Sequence, residues 1–477
     1  MLSPAAGPPA DGLPDGFVVA LDRRVTRRDG GSTLLGGSPL RLLRLSPRAR
    51  DLLPGAVLTV RDPTTAALAG RLLDAGLAHP RVPPVATADV TVVVPVKDRT
   101  PQLDRLLAAL RADPATAGVP VLVVDDGSAD PAAVRATSRD HGARVLRHDT
   151  ARGPSAARNA GLRAATTAAV AFCDSDCVPR PGWLAVLAAH LADPRLAVVA
   201  PRIVGLPGGP TGWVHRYEHA ASALDMGPDP APVLPGTGVS YVPSAALLVR
   251  RDALGSGFDE DMHVAEDVDL VWRLAAAGWR VRYEPAAQVG HEHPVRTADW
   301  ARRRAFYGTG AALLARRHGS AVAPVVVSPW SASAWGAALL GGRAGAVGAA
   351  GVLAVATGRL ARRLARPGEP PPVGLAALLV ARGSWSAGRT LARSVTRHHW
   401  PLVVPLLGVR RVRRLVAVAA VADALGAWWP HRRRVGPVRF AVARRADDLA
   451  YGAGLWWGAL RAREARALLP TRPVNSG

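Results

Sequence analysis

Residues 91–128 read TVVVPVKDRTPQLDRLLAALRADPATAGVPVLVVDDGS: a β-branched run, a helical period and a second β-branched run in succession. The first run, 91–96, has strand length and no polar alternation. Leu103, Leu106, Leu107 and Leu110 then fall at the spacing that lines one helix face. The second strand ends at Asp125. Continuous apolar strands are covered on both faces, so the pattern predicts an α/β domain: a mainly parallel central sheet with helices on each side. Working outward, further strands are expected at 143–146, 168–172, 196–200 and 247–249.

In an open α/β sheet, ligands bind beyond the carboxyl ends of the strands. Here those ends carry acid: Asp98 after the first strand, Asp125 and Asp126 after the second, Asp174 and Asp176 after the strand at 168–172. The PVKDRTP loop has no glycine fingerprint, which disfavours a dinucleotide-binding oxidoreductase. DDGS at 125–128 sets two carboxylates on a turn that can accept hydrogen bonds from a ribose hydroxyl or a base N–H, although Asp-Gly is also an ordinary turn. DSD at 174–176 places two carboxylates one residue apart, oxygen ligands of the kind hard cations such as Mg2+ or Mn2+ prefer. A cation there would neutralise a diphosphate leaving group; a solvated acidic turn is the plain alternative.

The segment 258–285 contains an amphipathic helix ending at Gly278, with Glu266 and Asp267 at its start. Carboxylates are favoured there by the helix dipole alone. The catalytic reading makes one of them, Asp267 before Glu266, a general base on an acceptor hydroxyl. HEHP at 291–294 adds imidazoles that would complete a metal shell, His293 preferred to His291, or else serve structure.

Charge divides the chain. Residues 1–300 carry 32 Lys plus Arg against 32 Asp plus Glu, whereas 301–477 carry 28 against 5, so the net +23 is C-terminal. That region also holds the longest uncharged stretches, including 22 residues at 321–342, long enough to cross a hydrocarbon core. Arginines flanking apolar segments mark a cytoplasmic membrane face, and a basic patch alone names no nucleic acid. The two cysteines, Cys173 and Cys177, are too few for a disulfide framework or a four-ligand zinc site and suit a reducing compartment. The N-terminus lacks the pattern of a secretory leader. The expected organisation is a loose tail at 1–16, a small α+β domain of winged-helix type at 17–82 suited to peptide recognition, a proline-rich linker at 83–89, the α/β domain at 90–300, and a basic, apolar, helical region at 301–477 associated with the membrane.

Taken in order, TVVVPVKDR, VLVVDDGSAD, RGPSAARNAGL (152–162), FCDSDC, LLVRRDAL with GFDE, and EDVDLVWRLAAAG resemble glycosyltransferase family 2, which has the GT-A fold. The resemblance implies that Pro95, Asp98, Asp125 and Asp126 line a uridine site and that Arg158 and Asn159 lie near the diphosphate, with Asp174 and Ser175 against the nucleotide sugar. It implies Asp174 and Asp176 as the metal-binding pair for Mn2+ or Mg2+, and Asp267 as base of an inverting displacement. The layout of small N-terminal domain, family 2 domain and Arg-rich tail is similar to the glycosyltransferases of mycofactocin systems. That implies glucose passed from UDP-glucose to a peptide-derived redox cofactor or its precursor, building a short oligoglucoside. Two alternatives stand beside it: a family 2 enzyme acting on a cell-envelope lipid or polysaccharide, and a non-catalytic, membrane-anchored peptide-binding protein. A processive synthase would carry Gln-x-x-Arg-Trp after the base, and 291–313 lacks it.

Overall fold

The computed structural model describes residues 7–9, 12–87, 89–208, 212–366 and 368–472; of the expected tail at 1–16, residues 1–6, 10 and 11 lie outside this set, as does residue 88 of the linker. The chain divides into one unit ending at Pro294 and another beginning at Val295.

In the first unit the N-terminal residues form β1 (Val18–Leu21), β2 (Thr26–Arg28), β3 (Thr33–Gly36), β4 (Arg41–Arg44), α1 (Pro47–Leu52), β5 (Val57–Thr59), α2 (Pro63–Asp74) and β6 (Ala78–Pro80). They make two three-stranded sheets, β5-β1-β6 and β2-β3-β4. Asp62 starts α2 with a reciprocal cap: its carboxylate accepts the Thr65 N–H at 2.8 Å, and its own N–H donates to Thr65 Oγ1 at 3.0 Å. Phe17, Leu34, Leu53, Leu72 and Leu77 fill the interior between these elements. This small domain is wired into the strand of the large sheet at 280–291. His79 shares one ring nitrogen with Asp22 at 2.9 Å and the other with Arg282 at 2.9 Å, and Arg280 donates to Asp74 at 2.8 Å.

The large sheet comprises β7 (Val90–Val96), β8 (Val121–Asp126), β9 (Arg144–His148), β10 (Ala169–Cys173), β11 (Cys177–Pro179), β12 (Leu196–Gly205), β13 (Ala231–Pro232), β14 (Ala246–Arg250) and β15 (Arg280–His291). Between them lie α3 (Thr100–Ala112), α4 (Pro131–Asp140), α5 (Pro154–Ala164), α6 (Trp183–Ala189), α7 (Trp213–Ala221) and α8 (Glu266–Ala276). The strand order is β11-β15-β12-β14-β10-β7-β8-β9. From β10 to β9 every pairing is parallel, with α3 and α4 crossing between neighbouring strands and α5 carrying the chain from β9 back to β10. β14 is antiparallel to both of its neighbours, β10 and β12, so the sheet is mixed beyond β10. The predicted strand runs all form strands, and β7 is buried along all seven residues. Leu103, Leu106, Leu107 and Leu110 turn the apolar face of α3 onto it. On the opposite side α5 approaches so closely at Gly161 that an added Cβ would land on the Val93 side chain. Gly161→Ala is therefore expected to lower stability by about 1–3 kcal/mol, read as an earlier thermal unfolding midpoint with unchanged secondary structure.

The second unit is helical: α9 (Thr297–His318), α10 (Pro329–Leu340), α11 (Gly342–Leu364), α12 (Val373–Arg397), α13 (Trp400–Val403), α14 (Arg410–Trp428) and α15 (Pro437–Ala462). The apolar run at 321–342 does not form one span. Pro329 begins a new helix capped by Ser328, and α10 ends at Leu340 after 12 residues. Such a helix is about 18 Å long, short of the roughly 30 Å a hydrocarbon core demands. Among the described residues one helix, α11, has the length and apolarity to cross a membrane, with mean hydropathy 1.4. The few acids of this unit are largely internal: Asp423 pairs with Arg444 at 2.7 Å and Asp448 with Arg397 at 3.1 Å, both carboxylates buried. Its surface is left strongly cationic.

Candidate active site

β7, β8 and β10 end on one edge of the sheet, and because β14 runs the other way its beginning reaches the same edge, where Cys173 pairs with Ala246. Asp174 follows at once, its N–H donating to the Ala245 carbonyl at 2.9 Å, and the Cys177 N–H returns to the Asp174 carbonyl at 2.9 Å. The Asp-Ser-Asp triplet is thus a tight turn between β10 and β11, with Ser175 buried inside it.

The helix α8 delivers the second acid pair. Glu266 and Asp267 are its first two residues, and Ala265 before them takes a left-handed φ of 64°. An alanine there costs about 1–2 kcal/mol, which the surrounding structure must outweigh. Asp267 is half-buried. It accepts the Val268 N–H on Oδ1 at 2.8 Å and the Ser244 N–H on Oδ2 at 3.1 Å. Burial, and next the neighbouring Glu266 charge, push Asp267 up to about 7 against the pull of those amides and of Arg158. A carboxylate poised near neutrality accepts and releases a proton at ordinary pH.

Arg158 joins the two acid pairs. It sits on α5 with 3% exposure, donating to Asp174 Oδ1 at 2.7 Å and to Glu266 Oε1 at 3.3 Å, and its guanidinium stands 5.4 Å from the centre of the Phe258 ring. Burial opposes its charge, but Asp174 first and Glu266 next hold its pKa above the usual value. Burial keeps Asp174 above the ordinary carboxylate range despite Arg158, helped by the Asp176 charge. Asp176 pairs with Arg99 and lies with Oδ1 3.7 Å from His291 Nε2.

Of the two candidate histidines, His291 lies against Asp176, and the His293 ring stands 6.0 Å from that of His291. The His293 ring lies 6.2 Å from that of His219 and 6.3 Å from that of His215, two residues of α7 whose rings stack at 5.3 Å.

The remaining predicted residues form a neighbouring group. Pro95 lies on β7 opposite Val124. Asp98, at a left-handed φ of 55°, accepts the Ala129 N–H at 2.7 Å and donates its own to Ser128 Oγ at 3.0 Å. Asp125 accepts the Ser128 N–H at 2.9 Å and pairs with Arg147. Asp126 hydrogen-bonds His148 at 2.8 Å and accepts the N–H groups of Arg152 and Gly153 at 2.9 and 2.8 Å. Burial would raise its pKa, yet these three bonds hold it below the usual value. These carboxylates stitch the β7 and β8 loops to the start of α5, and so position Arg158. Asn159 stands apart from the acid pairs. Its amide donates to the Phe258 carbonyl at 2.7 Å and to Glu260 at 3.0 Å and accepts the Phe258 N–H at 2.9 Å, which uses its hydrogen-bonding capacity on the loop before α8. Replacing it with alanine strands a buried backbone pair; Asn159→Ala is expected to cost about 1–3 kcal/mol in denaturant unfolding.

The donors suit a divalent cation in part. Asp176 Oδ1 and His291 Nε2 are separated by a distance that two ligands of one ion can subtend. Arg158 and Arg99 occupy the carboxylates, however, and among the described residues no three His, Cys, Asp or Glu side chains are gathered in metal-holding geometry. Sequence reasoning missed Arg99, Arg147, His148 and the His215–His219 pair. The i,i+4 histidine spacing was visible in WVHRYEHAA, whereas the arginines follow loops whose closure only the fold reveals.

A GT-A sheet with acid at its strand ends defines a glycosyltransferase domain, and residues 91–258 match the model for Glycosyl transferase family 2. The chain belongs to this family. It is 48% identical over 470 residues to the pre-mycofactocin glycosyltransferase of Mycobacterium tuberculosis, covering 96% of this chain and 98% of that protein. The succinoglycan biosynthesis protein ExoU of Rhizobium meliloti is 28% identical over 223 residues, 44% of this chain and 63% of that protein. Among solved structures, the mannosyltransferase PcManGT from Pyrobaculum calidifontis, in complex with GDP-Man and Mn2+, aligns over 73% of this chain and 90% of its own, at 22% identity and TM-score 0.40. That likeness is too loose to bear on the site.

Proposed function

We propose that this glycosyltransferase moves glucose from UDP-glucose, with inversion, onto a peptide-derived redox cofactor, pre-mycofactocin, at the cytoplasmic face of the cell membrane, building a short oligoglucoside. The reading is carried by the near-full-length likeness to the pre-mycofactocin glycosyltransferase, which spans the N-terminal domain and the basic tail as well as the catalytic sheet. In this scheme the acceptor hydroxyl gives its proton to the Asp267 carboxylate. Its oxygen bonds to the anomeric carbon, and the bond from that carbon to the diphosphate oxygen breaks, so that UDP leaves with the electron pair. One attack on the far face inverts the centre. Glu266 and burial set the proton affinity of Asp267, and Ser244 orients it. Asp98, Asp125 and Asp126, with Pro95, shape the nucleoside end. Arg158 would meet the diphosphate. Asp174, Asp176 and His291 would hold Mn2+ or Mg2+, which when bound supplies positive charge to the leaving group.

The test is UDP release by the purified full chain with Mn2+ or Mg2+, comparing UDP-glucose with other UDP-sugars and the cofactor precursor with no acceptor. Acceptor-stimulated release confined to UDP-glucose is expected. Release with another sugar or acceptor would discard the donor or the pathway, and silence with every donor would discard the scheme.

A further inference from the structure

The groove between α10, α11 and α12 is, we propose, a binding site for the headgroup of an anionic phospholipid. The inference rests on reading this unit as membrane-associated and adds to it a place and a lipid class. The groove encloses about 250 Å³. Its walls are apolar, built from Trp330, Leu360, Leu379 and Val380, and Arg359 and Arg363 stand on its rim. Four residues apart on α11, the two guanidiniums project from the same helix face. Arg359 lies over the Trp330 ring, 5.0 Å from its centre, an arrangement that fixes the planar cation without neutralising it.

Ser328 caps α10 where that helix begins at the groove, its Oγ accepting the Ser331 N–H at 3.1 Å, so the positive end of a 12-residue helix dipole adds to the two arginines. Among the described residues no carboxylate lines the groove. Asp423 and Asp448 are buried against other arginines, and the exposed Glu369 pairs with Arg366 at 3.6 Å.

Positive charge at the mouth over apolar walls selects an anion with a hydrocarbon body. A free phosphate would leave Leu379 and Val380 wet. A phospholipid covers them and brings its chains to Trp385, which follows Ser384 of the groove lining and is 69% exposed. Gly383 lies on the groove wall, and a Cβ there would meet nothing within 4 Å, so a side chain can be added at this point of the lining without a backbone clash.

The experiment measures co-sedimentation of the full-length protein with phosphatidylcholine vesicles with and without phosphatidylglycerol. Gly383→Leu keeps the charge and improves helix propensity; it is expected to weaken partition to the anionic vesicles on the order of fivefold, as is each guanidinium lost in Arg359→Ala/Arg363→Ala. The exposed off-groove pair Arg433→Ala/Arg434→Ala should weaken it less, and UDP release should be unchanged in all variants. Equal losses from both arginine pairs with Gly383→Leu silent would mean a diffuse charge film and overturn the groove. Displacement from the vesicles by inorganic phosphate would overturn the lipid assignment. Failure of the parent protein to bind any vesicle would overturn the membrane reading together with the site.

Discussion

Asp267→Asn is expected to cut sugar transfer by about 10²–10⁴-fold while UDP affinity stays within about twofold, because a general base acts in the transition state and contributes little to ground-state binding. The side chain keeps its shape, and its one oxygen still accepts one of the two N–H groups that the carboxylate holds on separate oxygens, Val268 on Oδ1 and Ser244 on Oδ2; circular dichroism of the variant checks that the fold is kept. The parent enzyme should show a pH profile that identifies the group. Asp267 must be ionised to accept a proton, and its pKa is raised to about 7, so kcat/KM should climb with pH up to about 7 and then level. In Asp267→Asn that limb should vanish. Glu266→Gln should move it downward, since the Glu266 charge is the second cause of the upward shift. Normal turnover in Asp267→Asn would remove this residue from the role.

Asp176→Ala is expected to abolish the part of UDP binding that depends on Mn2+ or Mg2+ and to lower kcat/KM by about 10²–10³-fold, the scale of a lost Lewis acid at a diphosphate. Calorimetric titration of UDP with and without the cation checks it. UDP affinity in the variant that still rises on adding cation would take Asp176 out of the ligand set. The substitution also releases Arg99, which pairs with Asp176. Arg99→Ala separates the two effects: it should leave cation dependence in place, because a guanidinium on Asp176 competes with a cation there.

The sheet was legible because its strands are written as uninterrupted β-branched runs and its first helix as a leucine period, both local signals. The antiparallel course of β14 was not, since direction depends on how 206–245 returns to the sheet, and nothing in ALLVR encodes it. The acids at the strand ends were legible for the same reason that they matter: strand ends are where such a sheet binds ligands. What local reading could not supply was pairing. Arg158 reaches Asp174 across 16 positions and Glu266 across 108, and His291 comes to Asp176 through the antiparallel register that pairs it with Cys177 of β11. The run at 321–342 had the length of a span, but Pro324 and Pro329 spoke against it, and Pro329 starts α10 within the run.

The wiring of the N-terminal domain into β15 makes the strand a ruler. Arg282, 2% exposed, is held by His79 at one end, and His291 faces Asp176 at the other. On the adjacent β12 their partners are Val199 and Gly205, six residues apart, which sets the separation at about 20 Å. Any substrate moored to the small domain near His79 would need some six or seven extended residues to bring its acceptor group to the acid cluster. A chain cut at residue 83 would lose more than the mooring, because it would leave the Arg282 guanidinium, shaped for an interior, facing water beside Arg280.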